Sequence, residues 1–126
     1  MRNAPDWIHA RYFKPSEVQN PEIMSATLLS MLEDLRRNYG HPIIITGSWR
    51  ALDGQVHRDS AHQVNEAGVW EGVDLRCSNS LDRYSLKKAA YEVGFVRIGT
   101  YDRHLHLDVA TGPRFIQNVE WIGVSK

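Results

Sequence analysis

His104, His106 and Asp108 stand in alternate positions, interleaved with Leu105, Leu107 and Val109. That alternation predicts a strand over 104–109 with leucine and valine on one face and two imidazoles and a carboxylate on the other. A core-facing surface would not hold three such groups, so the polar face must meet water, a cleft or a metal ion. A half-exposed sheet with a solvated face is the plain alternative. Further back, His62 closes Asp59-Ser60-Ala61-His62, and Asp74 sits between Val73 and Leu75 in a short strand pattern. A catalytic zinc site takes neutral imidazoles and a carboxylate from separate rigid pieces of backbone and keeps one position open for water. His62, Asp74 and His106 could supply those ligands. Their separations, 12 and then 32 residues, do not select the site alone and lack the tight helical pairing of a His-Glu-x-x-His motif. Asp108 could orient an imidazole from behind. His57 reads most simply as a surface-loop histidine, and His9 and His41 have no partner pattern. Cys77 fits a buried apolar position better than a metal site.

The elements that would position these groups are legible in outline. Asn20-Pro21-Glu22 reads as a helix start, and Met24, Leu28, Met31, Leu32 and Leu35 recur at helical spacing. Arg36, Arg37 and Gly40 suit its C-terminal end. Pro42 to Thr46 reads as a β-branched strand, and residues 51–72 as a long irregular loop, a length that usually signals function or mobility. Ser80 can cap a second helix with apolar positions at Leu81, Tyr84 or Ser85, Leu86, Ala89, Ala90 and Val93, ended by Gly94. Phe95 to Ile98 reads as a strand, 99–103 as a turn, and the tail, Phe115 to Val124, as a final strand or a segment that packs Trp121 on the sheet. Two helices against a small, mainly antiparallel sheet is an α+β pattern.

Composition narrows the classes. The chain has 126 residues, which predicts one domain over 1–126 with a core of useful size. Its 42% hydrophobic and 24% charged fractions are those of an ordinary globular protein, which excludes disordered and fibrous classes. The net charge is zero, so there is no basic field to hold a phosphate backbone, and nucleic acid is not expected as a partner. One cysteine cannot form an internal disulfide. The longest clean apolar run, Ile43-Ile44-Ile45, fits a buried strand and is far too short for a membrane span. The first residues lack the apolar centre of a signal peptide, so export by the usual secretory route is not expected. A monomer is the expected state.

Three segments together carry a family resemblance: Ser60-Ala61-His62, Gly72-Val73-Asp74-Leu75, and His104-Leu105-His106-Leu107-Asp108. In this order they resemble the D-Ala-D-Ala carboxypeptidase family of zinc peptidases, with its S-x-H-x-x-G-x-A-x-D pattern and a downstream H-x-H or H-x-D strand. The family includes phage endolysins that cut L-Ala-D-Glu bonds and vancomycin-resistance dipeptidases, and shares its fold with the hedgehog signalling domain. Phe13 to Glu17, Tyr39-Gly40, Pro42 to Arg50 and Gly94 to Tyr101 also follow the family's order, so the likeness covers about 12–110.

The resemblance implies one zinc ion held by His62, Asp74 and His106. It implies that Arg50 grips a substrate carboxylate or carbonyl, for which a guanidinium fork is suited. A structural ion pair is the plain alternative for Arg50. It further implies hydrolysis of peptidoglycan stem peptides by a phage or bacterial lytic enzyme, made in the cytoplasm and acting on the wall after release or from a virion. Ser60 falls within the motif and is a candidate substrate contact. Two features depart from the pattern. The family places seven residues from the first His to the Asp, against 12 here, so residues 63–71 must loop out, with Trp70 a candidate substrate wall at the cleft rim. Relatives carry an acid three residues before the last ligand, where this chain has Arg103, or a histidine two before it, which His104 matches; His104 and Asp102 are then expected to share the general-base role. Without an active base the same fold would be a zinc-stabilised binding or structural module.

Overall fold

The computed structural model describes residues 4–50, 60–113 and 115–123. A five-stranded sheet runs in the order β1-β2-β4-β3-β5, with β1 at Ile45–Gly47, β2 at Gly72–Arg76, β3 at Arg97–Thr100, β4 at His104–Asp108 and β5 at Val119–Ile122. Neighbours are antiparallel except β3 and β5, which run parallel, so the sheet is mixed. Two helices, α1 (Ala26–Tyr39) and α2 (Ser80–Glu92), complete the α+β fold. Among the described residues, no helix is long and apolar enough to cross a membrane.

One face of the sheet makes the core. Leu105 and Leu107 of β4, Val73 and Leu75 of β2 and Ile98 of β3 are fully buried, in one cluster with Leu28, Leu29, Leu32 and Leu35 of α1 and Leu86, Ala89 and Ala90 of α2. Burying a side chain of leucine size removes its apolar surface from water and contributes roughly 1.5–3 kcal/mol. The opposite face of β2 and β4 carries the polar residues, in register: Asp74 pairs with His106, and Arg76 with His104.

The helices start and face differently from the sequence expectation. Asn20 does not cap α1; it takes a left-handed conformation ahead of a short 3-10 turn at Pro21–Ile23. The cap is Ser25, whose hydroxyl accepts from the Leu28 N–H at 3.1 Å. The helix cannot begin earlier because Met24 is extended and bridges to Trp70, with the Ser25 N–H donating to the Trp70 carbonyl. At the other end Gly40, at φ +80°, closes α1 in the conformation that favours glycine. Asn79, rather than Ser80, caps α2. Leu81 is 76% exposed, outside the core the periodicity assigned it to, and neither Tyr84, at 69%, nor Ser85 is buried.

The strands shift as well. The run at 42–46 pairs only from Ile45 to Gly47, where the register slips against β2. The strand expected at Phe95 begins at Arg97 and takes in Gly99 and Thr100, leaving Phe95 as a core anchor. The tail does both things expected of it: it forms β5 and lays Trp121 over the sheet. Gly99 makes that contact possible, since a Cβ there would lie 2.6 Å from the indole.

Candidate metal centre

His62, Asp74 and His106 arrive from three separate segments and offer ligand atoms that all lie within 4.8 Å of one another. All three residues are buried. Their outer contacts decide which atoms face inward. His62 Nδ1 donates to the Ser48 carbonyl at 2.7 Å, which turns Nε2 toward Asp74 Oδ1 at 3.2 Å. His106 Nε2 contacts Asp108 Oδ2 at 2.6 Å, which turns Nδ1 toward the same Asp74 Oδ1 at 3.0 Å. In neutral imidazoles these contacts keep the N–H on the outer nitrogens and leave two inward lone pairs beside a carboxylate oxygen. Two imidazole nitrogens and one carboxylate are a donor set for a divalent transition metal, and each imidazole has the oxygen partner that ligating histidines have.

The electrostatics are those of a held carboxylate. Burial pushes the Asp74 carboxyl up, but His106 and His62, when protonated, outweigh it through hydrogen bonds and charge and hold the group well below the usual carboxylate range. The other Asp74 oxygen, Oδ2, accepts from the Arg50 guanidinium at 2.7 Å. Burial likewise works against the charged His106, and the bonds to Asp108 and Asp74 override it and raise that histidine. Asp108 is held low, against its own burial, by His106 and by Arg97, whose Nε donates at 2.6 Å.

The cluster opens into a cleft of about 1170 Å³, lined in part by Arg50, Ser60, Tyr101, Asp102, His104 and Trp121. Small-ligand pockets run to roughly 1,000 Å³, so this one has room for a stretch of peptide. His104 stacks on Tyr101, with ring centres 4.3 Å apart, and its Nε2 is 3.8 Å from Asp74 Oδ1. Burial first, and then the nearby His106, Arg50 and His62, lower its pKa against the pull of Asp74. Asp102 also lines the cleft, but its side chain is 60% exposed and lies 4.0 Å from the Arg103 guanidinium. Ser60 accepts the His62 backbone N–H on its hydroxyl at 3.2 Å.

The family described as Peptidase M15 matches this sequence over residues 8–109. The chain belongs to the peptidase M15 family. These are zinc peptidases of the D-Ala-D-Ala carboxypeptidase type, which makes the protein a metallopeptidase. No curated protein and no solved structure matches the chain.

In this M15 peptidase one candidate site residue is misplaced by the sequence reading. Trp70 is fully buried, its indole N–H donates to the Asn20 carbonyl at 2.9 Å, and it does not line the cleft. None of residues 63–71 does. They fold back on themselves, with Asn65 Oδ1 accepting from the Ala67 and Val69 N–H groups, and they tether the segment before α1. The physical reason is apolar area: the indole gains more from the core than from a wet rim. His57 lies outside the described residues. Arg97 and the Ser48 carbonyl went unnoticed. Arg97 carries no motif, and only the strand pairing reveals that it reaches Asp108; a backbone carbonyl has no sequence signal at all.

Proposed function

We propose that this M15 peptidase is a zinc-dependent murein hydrolase that cuts a peptide bond in peptidoglycan stem peptides, as a D,D-carboxypeptidase or an L-Ala-D-Glu endopeptidase. What carries the reading is the convergence of His62 Nε2, Asp74 Oδ1 and His106 Nδ1 beside His104 in an open cleft, in a chain that matches a peptidase family. These three atoms would hold the zinc ion. When bound, zinc activates a water molecule and polarises the scissile carbonyl.

The chain's own residues supply the rest. Arg50 fixes Asp74 Oδ2, so Oδ1 stays turned to the imidazoles. The Arg50 side chain is 53% exposed, and its outer edge is available to a substrate carbonyl oxygen as negative charge develops there. His104, kept neutral at working pH by its lowered pKa, takes a proton on Nε2 from the attacking water and returns it to the leaving amine. Tyr101, stacked on the ring, holds it in place. Asp102 is the weaker choice for the base, because it lies out toward solvent beside Arg103. The site of action would be the cell wall, reached after release from the cell or carried by a virion.

The test is mass spectrometry of muropeptides digested with zinc-loaded protein, with chelator-treated protein and with His62→Ala. The reading expects a single bond type to be cut by the first alone. Well-folded, zinc-loaded protein that leaves every muropeptide intact would sink it and favour a binding module.

A further inference from the structure

Among the described residues, four arginines line the cleft, and three of them have carboxylate company within it. Arg50 donates to Asp74, Arg97 donates to Asp108, and Arg103 lies beside Asp102. Arg76 differs. It is exposed, it lines the cleft, and its guanidinium makes no hydrogen bond or ion pair with any described residue. Its place is fixed by rigid backbone. It follows Asp74 by two residues on the same face of β2 and sits directly across from His104 on β4, and its own N–H donates to the Ile44 carbonyl. The next residue ties the neighbouring turn down: the Cys77 N–H donates to the Arg103 carbonyl, which sets Arg103 and Ser78 at the same end of the cleft.

The whole chain is neutral, so this end of the cleft is a local cationic surplus rather than part of a basic surface. A divalent ion at the metal centre would deepen it. The uncommitted charge therefore favours an anionic ligand group. A guanidinium on a strand offers a planar fork to a carboxylate. Two residues along a strand span about 7 Å, and an extended peptide covers about 3.5 Å per residue. A carboxylate held by Arg76 would then lie within about two residues of the bond being cut at the metal centre.

We propose that Arg76 is a specificity residue that anchors a free carboxylate of the peptide substrate beside His104. The inference rests on the peptide-hydrolase reading above and names a substrate feature for it. Arg50, engaged with Asp74, is then not the main carboxylate anchor.

The experiment compares a synthetic stem peptide bearing free carboxylates with the same peptide in which they are primary amides. Both are offered to zinc-loaded wild type, Arg76→Gln and Arg76→Lys. Wild type is expected to favour the free-carboxylate peptide by about tenfold, through KM rather than kcat, in line with one charge-assisted hydrogen-bonded contact. Arg76→Gln is expected to bring that preference below about twofold, and Arg76→Lys to restore part of it. An Arg76→Gln variant that keeps the wild-type preference overturns the proposal, as does a wild type that shows none. Should wild type cut neither peptide, the hydrolase reading fails, and the subsite is still decided by binding. N-acetyl-D-alanine, titrated into the zinc-loaded wild type, should shift the Arg76 side-chain NMR signal where its amide does not. Absence of that difference overturns the subsite by itself.

Discussion

Asp108 is buried against His106 in the wall of the cleft, and it sets the face that His106 turns inward. It takes the Nε2 side of the ring at 2.6 Å while Arg97 and the Ala110 N–H hold its other oxygen. Asp108→Asn is expected to weaken zinc binding by about 10- to 100-fold, the usual cost of losing a partner behind a metal ligand. Competition with a chromogenic chelator measures this, and an unchanged affinity would remove Asp108 from the site. Glu71 offers a second test on a single side chain. Burial first, and then the charge of Asp108, raise its carboxyl pKa against the hydrogen bond from Asn65. A raised acid gives stability that is fully present below the unfolded value of 4.5 and is lost as pH rises through the folded value. At neutral pH the ionised Glu71 therefore costs stability. Glu71→Gln, which keeps an oxygen for Asn65, should unfold at higher urea than wild type at pH 7, with the gap narrowing as pH falls through the raised folded value and closed below 4.5. A gap that widens on acidification would contradict the sign.

The strands act as a rack that spaces the site. Antiparallel register puts Asp74 opposite His106 and Arg76 opposite His104, so a one-residue slip of β2 would turn its whole polar set into the core. On the far side of β4, Gly99 pairs with His106 and lets Trp121 of β5 lie close, 5.4 Å from the His106 ring. Gly99→Ala is expected to push the indole away and to destabilise the fold by about 1–3 kcal/mol, the range for overfilling a packed contact. Chemical denaturation reads the loss, and quenching of tryptophan fluorescence by acrylamide should rise in the folded state. A variant as stable as wild type, with an unmoved indole, would show that the sheet tolerates the methyl group there.

For the molecule as a whole, an ion held by His62, Asp74 and His106 would be a clasp across the sheet. His62 comes from the stretch before β2, Asp74 from β2 and His106 from β4, and the unfolded chain has no such arrangement. An ion that binds only the folded state stabilises it by about 2.7 kcal/mol at a hundredfold excess over its dissociation constant. For a chain of this length that is a rise in Tm on the order of 10 °C. Calorimetry with zinc and with excess chelator should show it, and His62→Ala should lose most of the difference. Equal melting temperatures with zinc and with chelator would dissolve the clasp.

Much of this was readable without coordinates, for local reasons. The alternation of His104 to Val109 is a property of the pleat, and Arg36, Arg37 and Gly40 mark a helix end through backbone electrostatics and conformation. The family pattern then brought the three candidate ligands together. Tertiary structure decided what depends on distant partners. Asn20 and Pro21 carry good helix-start chemistry, but the bridge from Met24 to Trp70 delays α1 to Ser25. Trp70 looked like a cleft wall because its loop is long, and only the core could show that it had room for the indole. Arg97 reaches Asp108 and Arg76 faces His104 through pairings between strands, and no spacing along a single chain records which strands will lie side by side.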